Sequence, residues 1–232
     1  MIFIIALVLS GLYLITSTVN LVFIAQKRNN ITKTTNYITI PLLMVATIFF
    51  LIQNFPDSKN ILRFYTFAII LIYTSTYFFT KNITKSKNAN LYISNILFIL
   101  SNTAWLQILL PSFRLCPMPV YLVIILIVCF TVLITLLYFN YTKKFNILMF
   151  ILFLIFFSIE ATLFIASILT IITQLQIYSL LYFVGIILLI IISTIKQKEI
   201  FSDKKIISDF LSSLLFTIYI TTMSASTILM LY

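Results

Sequence analysis

The sequence predicts an all-α membrane protein of about eight transmembrane helices, packed with short loops into one compact bundle over residues 1–232. Three observations predict it. The chain is 62% hydrophobic and only 9% charged, with a mean hydropathy of +1.17, which does not describe a soluble domain. Apolar runs of about 20 residues, the length a helix needs to cross a bilayer, follow one another along the whole chain. Lys and Arg are also concentrated on alternate loops.

The runs cover roughly 2 to 25, 35 to 53, 62 to 80, 91 to 110, 119 to 140, 146 to 170, 178 to 195 and 207 to 231. All are continuous, whereas strands of a membrane barrel alternate apolar and polar residues over about 10 positions. They therefore predict helices. The first run starts near Met1, but its basic residues, Lys27 and Arg28, follow the apolar core instead of preceding it. That order, with a core too long for a signal peptide, predicts a retained helix. The eighth run opens with Ser208-Asp209, a capping residue followed by an acid that suits the positive end of a helix. Asp57 and Asp203 fall in loops, where a solvated turn role is ordinary. No loop is long enough to hold a soluble domain.

Loops one, three, five and seven carry Lys27, Arg28, Lys33, Lys81, Lys85, Lys87, Lys143, Lys144, Lys196, Lys198, Lys204 and Lys205. The other loops carry only Lys59, Arg63 and Arg114. Such a bias in short loops predicts cytoplasmic odd loops and both termini on the far side. The chain is read as residing in a bacterial inner membrane. Its formal net charge of +10 is spread along one membrane face, where anionic headgroups attract it, so membrane lipid is the predicted partner and nucleic acid is not.

With no His, and Gly only at positions 11 and 185, the sequence excludes the usual metal-ligand sets and Gly-rich nucleotide loops, and predicts no metal and no cofactor. Cys116 and Cys129 would lie about 20 Å apart on a helical path, too far for a disulfide. Cys129, inside the fifth run, is predicted to be a small buried hydrophobe. Glu160 is the only acidic residue within an apolar run. A carboxylate there costs several kcal/mol unless it is protonated, paired or facing water, which marks it as a catalytic or ion-binding candidate. The alternative is a packing hydrogen bond to a neighbouring helix.

Polar residues recur at helical spacing. In the fourth run Ser94 and Asn95 return one heptad later as Ser101 and Asn102, with Phe98, Trp105 and Gln107 nearby. Ser10, Tyr13, Ser17 and Asn20 form a stripe in the first run, and Ser213, Thr217, Thr221 and Ser224 in the last. Such stripes face inward, as interhelical hydrogen bonds or as the wall of a polar cavity. Ser and Thr can satisfy themselves on the carbonyl one turn back, whereas the carboxamides of Asn95 and Asn102 cannot.

On these features the chain resembles the YhhN-like family of lysoplasmalogenases, integral membrane hydrolases that cleave the vinyl-ether bond of lysoplasmalogens. Thr39-Ile40-Pro41-Leu42-Leu43 is similar to the family's Lys-Pro-Leu stretch, with Ile for Lys. Ser75-Thr76 stands where the family has Gly-Asp. Leu91, Ser94, Phe98, Asn102 and Trp105 stand at the family's Phe, Gly, Phe, His and Tyr spacing. The resemblance implies a cavity that takes a lysophospholipid-like amphiphile, with Ser75, Thr76, Asn102 and Trp105 at family positions, and the polar stripes add Asn95 and Asn20 as binding candidates. Thr76 and Asn102 replace the family's Asp and His and cannot serve as acid or base near neutral pH. Activity would then fall to Glu160. The alternatives are a small proton- or cation-coupled transporter that uses Glu160, and a non-catalytic membrane subunit.

Overall fold

The structure is a computed structural model that describes residues 2–26, 29–55, 57–85, 88–114, 120–139, 147–202 and 207–231. Lys27, Arg28, Lys87, Cys116, Lys143, Lys144, Asp203, Lys204 and Lys205 lie outside the described residues. The elements are α1 (Ile2–Ala25), α2 (Asn29–Gln53), α3 (Lys59–Lys85), α4 (Asn88–Arg114), α5 (Val120–Phe139), α6 (Ile147–Thr173), α7 (Ile177–Ser202) and α8 (Asp209–Leu229). No strand occurs among the described residues. Six helices, α1, α3, α4, α6, α7 and α8, are long and apolar enough among the described residues to cross a membrane. By length and composition this is an all-α, polytopic integral membrane protein. In α2 the described apolar stretch is Ile38–Gln53.

Several helices outrun the apolar runs that predict them. α3 continues to Lys85 and α7 to Ser202, since Lys, Gln and Glu are good helix formers and the backbone does not stop where hydropathy does. At the start of α8 the backbone N–H of Leu211 donates to Ser208 Oγ at 3.2 Å, and Asp209 occupies the first turn. This is the cap that the sequence predicts.

The chain divides into two compact units. Unit 1 comprises 1–66 and 176–232, and unit 2 comprises 67–175, so α3 runs through the division. In unit 1, α1 packs on α2, α7 packs on α8, and α8 also touches α1 and α2. Between helices in lipid, association comes from close packing and hydrogen bonds, because lipid tails are as apolar as Leu. Both are visible. A Cβ at Gly185 of α7 would come within 2.6 Å of Met223 Sδ of α8, so the two helices approach closely where the side chain is absent. Ser226 Oγ donates to the Tyr178 carbonyl at 2.6 Å. Tyr13, Tyr65 and Tyr182 reach Thr221, Ser224 and Thr227 of α8 at 2.7, 2.9 and 2.9 Å.

Unit 2 holds the rest of α3 with α4, α5 and α6. Ser75 and Ser94 form a reciprocal clasp in which each hydroxyl donates to the other residue's carbonyl, at 2.8 and 2.9 Å. Ser101 Oγ donates to the Ala68 carbonyl at 2.9 Å. As the contacts move from Ser94 to Ser101 on α4 they move back from Ser75 to Ala68 on α3, so the pair is antiparallel. Small side chains let these backbones approach.

Val123 of α5 packs with Ile165 and Leu169 of α6, with Ile127 against the cluster. Cys129, predicted to be buried, is instead exposed. At about 100° per residue it points roughly 120° away from Val123, so the edge that α5 turns to α6 leaves Cys129 out.

Candidate functional site

Four of the residues singled out from the sequence belong to two helices of unit 2. Asn95, Asn102 and Trp105 are on α4 and Glu160 is on α6, and these helices pack against each other. Their contact is fixed at one level by Phe98 and Phe156, whose rings stack with centroids 5.7 Å apart and planes at 30°. Phe156 also meets Phe157 edge to face, at 5.5 Å.

The connection between the helices gives their relative direction. From Arg114 to Val120 the chain can reach at most about 20 Å, and the start of α5 lies beside the C-terminal half of α6 at Ile165 and Leu169. If α4 ran antiparallel to α6, Arg114 would lie about 24 Å from Phe98 in the wrong direction, and roughly 40 Å from that end of α6. The helices therefore run parallel. One turn beyond the stacked rings, Asn102 and Glu160 stand at the same level, each about 40° round its helix from its Phe. Ile165 and Leu169, which meet α5, lie on the far side of α6.

The same geometry separates two rows on α4. Ser94 and Ser101, a heptad apart, face α3 through the clasps described above. Asn95, Phe98 and Asn102 lie on the α6 side, and Trp105 lies between the rows. Trp105 and Asn102 are both 0% exposed, and Glu160 is 1% exposed. Both amide atoms of Asn102 lack a hydrogen-bond partner among the described residues. Asn95 is buried as well and is engaged with its surroundings, as is Glu160.

Ser75 and Thr76 are placed differently. The Ser75 hydroxyl proton is committed to the clasp with Ser94, and half-buried Thr76 donates to the Tyr73 carbonyl of its own helix at 2.7 Å. Asn20 is buried in α1, in unit 1. Phe156, which sets the register of the seam, carries no signal in a chain with 23 Phe. Its only pointer is its place one turn before Glu160. Among the described residues no group of three or more His, Cys, Asp or Glu could hold a metal ion.

The fold and this seam define a helical membrane protein with a buried carboxamide on α4 and a buried carboxyl on α6, each one turn beyond the stacked rings. Glu160 can exchange a proton or meet a cation, and Asn102 can donate and accept at once. No protein-family model, curated protein or solved structure matches the chain.

Proposed function

We propose that the α4–α6 seam binds the polar head of a lysophospholipid-like amphiphile and that Glu160 is the acid or base acting on it. The observation that carries this reading is the Asn102 carboxamide, buried without a partner at the level of the only acidic residue in an apolar run. A buried polar group left unsatisfied costs about 1–3 kcal/mol. A ligand that meets both its donor and its acceptor recovers that cost. The resemblance to the YhhN-like lysoplasmalogenases supports the choice of ligand and, with it, a vinyl-ether substrate.

In the hydrolytic version Glu160 gives its proton to the terminal carbon of the vinyl ether, and water adds to the resulting oxocarbenium carbon. The hemiacetal then falls apart into a free aldehyde and an alcohol. The water's second proton returns to Glu160, so the carboxyl is regenerated. The purified protein is expected to release aldehyde from a lysoplasmalogen, and Glu160→Gln to lose that turnover by at least about a hundredfold. Folded protein without turnover would end the hydrolytic reading.

A second reading, a small proton- or cation-coupled carrier, is favoured by the single acidic residue in the seam, since a carrier needs one exchangeable site and no nucleophile. It predicts solute-dependent acidification in proteoliposomes, lost in Glu160→Gln. For placement we propose a bacterial inner membrane with the odd loops in the cytoplasm and both termini outside, on the Lys and Arg bias alone. An alkaline phosphatase fused after Tyr232 is then expected to be active, and an inactive fusion that leaves the protein inserted reverses the orientation.

A further inference from the structure

The sequence of unit 2 carries a repeat. Asn82-Ile83-Thr84-Lys85, where α3 gives way to α4, is matched by Asn140-Tyr141-Thr142-Lys143 between α5 and α6, and in each an Asn, Asn88 or Asn146, follows three residues after the Lys. The second helix of each pair begins there, α4 at Asn88 and α6 at Ile147, and both helices are 27 residues long. Asn is a common cap at a helix start, which accounts for one position of the pattern and not for the other three. Lined up on this motif, the two halves are offset by 58 residues, and the same offset pairs Phe98 with Phe156 and Asn102 with Glu160. The motif also occurs at Asn30-Ile31-Thr32-Lys33 with Asn36, but there the alignment puts Ala46 and Phe50 at those two positions.

The structure keeps the same register. Phe98 and Phe156, one of the matched pairs, are the two rings that stack across the α4–α6 contact, with centroids 5.7 Å apart. α4 and α6 also run parallel, as two copies of one hairpin inserted in one orientation must. Packed helices stand about 8–10 Å apart, axis to axis, so parallel helices in contact at one matched pair hold the next pair, one turn on, at a common level. That pair is Asn102 and Glu160, buried at 0% and 1% exposure. The correspondence is confined to these two helices. α3 meets α4 at Ser94 and Ser101, whereas α5 meets α6 on the side away from α4.

We propose that α3–α4 and α5–α6 are two copies of one hairpin, and that residues 102 and 160 are a single position seen twice, a pair that works with one acid and one carboxamide. This pairing gives Asn102 its role in the seam and rests on the reading of the seam as a site. Many transporters built from internal repeats hold their ligand or coupling ion at the interface between the copies, near mid-membrane. Two acids at that level would be like charges in a medium that screens poorly, so at most one would ionise. Two carboxamides would leave no exchangeable proton. One of each keeps a single proton site, and the carboxamide has both a donor for the ionised acid and an acceptor for the protonated one. Asn102 is thus a positioning residue for Glu160. Its amide atoms have no partner in the present arrangement and are at hand when Glu160 takes up or gives up its charge.

The test is an exchange of the two residues. Asn102→Glu alone puts two acids at one level and is expected to lower the unfolding midpoint in detergent. Adding Glu160→Asn is expected to return the midpoint to the wild-type value, a coupling that independent positions do not show. Asn95→Glu with Glu160→Asn, one heptad out of register, is the control and is expected to stay low. Lysophospholipid binding is read on the same proteins: Asn102→Glu and Glu160→Asn are each expected to bind at least about tenfold more weakly, and the exchanged pair within about threefold of wild type. An exchanged pair as unstable as Asn102→Glu, or restored no better than the Asn95 control, would overturn the proposal, as would a stable exchanged pair that has lost the binding seen in wild type. If Asn102→Glu does not fold, recovery of folded protein by the exchange takes the place of the midpoint, and an exchanged pair that does not fold overturns the pairing. Restored stability with no lysophospholipid bound by any of the proteins, wild type included, sustains the pairing and ends the binding reading instead.

Discussion

Trp105→Ala is expected to destabilise the protein by about 3–5 kcal/mol, the usual cost of emptying a fully buried aromatic position. Trp105 heads the fully buried side chains ordered by volume, at 0% exposure. On α4 it lies between the serine row that meets α3 and the row that meets α6, so its ring fills the corner between two helix contacts. In lipid no hydrophobic driving force makes up for lost packing between helices, and the loss falls on dispersion contacts that lipid chains cannot enter to restore. Equilibrium unfolding in mixed micelles measures it. Leu100→Ala, on the exposed side of the same helix, is the control and is expected to cost under about 1 kcal/mol. Equal costs for the two would mean that α4 does not bury Trp105.

Hydropathy makes the helices legible because a spanning helix must be apolar along its length, and the first run, 2 to 25, coincides with α1, Ile2–Ala25. It does not mark where a helix ends. Lys81 and Lys85 read as loop residues and are helical in α3. The polar stripe of α1 is legible for a similar reason. Tyr13, Ser17 and Asn20 are buried together because a polar side chain has no partner on the lipid side. Ser10 has the same spacing but satisfies itself on the Ala6 carbonyl at 2.9 Å, so spacing alone does not say which hydroxyls cross to a neighbour. Glu160 is conspicuous as a lone acid in an apolar run, yet its neighbours are not. Which helix packs beside which depends on interlocking surfaces, and Phe156 is one apolar residue among many until Phe98 is placed against it. The Tyr residues of unit 1 carried a usable signal. A phenol within an apolar span needs a partner for its hydroxyl, and Tyr65 and Tyr182 find theirs on α8. Cys129 shows the converse error. A small apolar residue suits a buried site or a lipid-facing one equally well, and only the packing of α5 decides.

Asn102→Leu is expected to stabilise the ligand-free protein by about 1–3 kcal/mol, because it removes a buried carboxamide whose donor and acceptor both lack partners. Leu branches at the same carbon and adds apolar contacts in a seam already bounded by Phe98 and Phe156. Asn95, one heptad earlier on the same row, is engaged with its surroundings, so Asn95→Leu breaks an interaction and is expected to cost about 1–3 kcal/mol. Two identical substitutions on one face of one helix thus carry opposite signs. The same Asn102→Leu variant is expected to bind a lysophospholipid at least tenfold more weakly, about 1.4 kcal/mol. A residue kept for packing would lose stability when replaced and leave binding intact. A residue kept for a ligand gains stability and loses binding, because the strain of an unsatisfied group is borne in the free state and relieved only when the ligand arrives. Unfolding midpoints of the two variants, measured in the same detergent with and without lysophospholipid, separate the cases. Destabilisation by Asn102→Leu equal to that of Asn95→Leu would place Asn102 among the packing residues and remove the observation on which the proposed site rests.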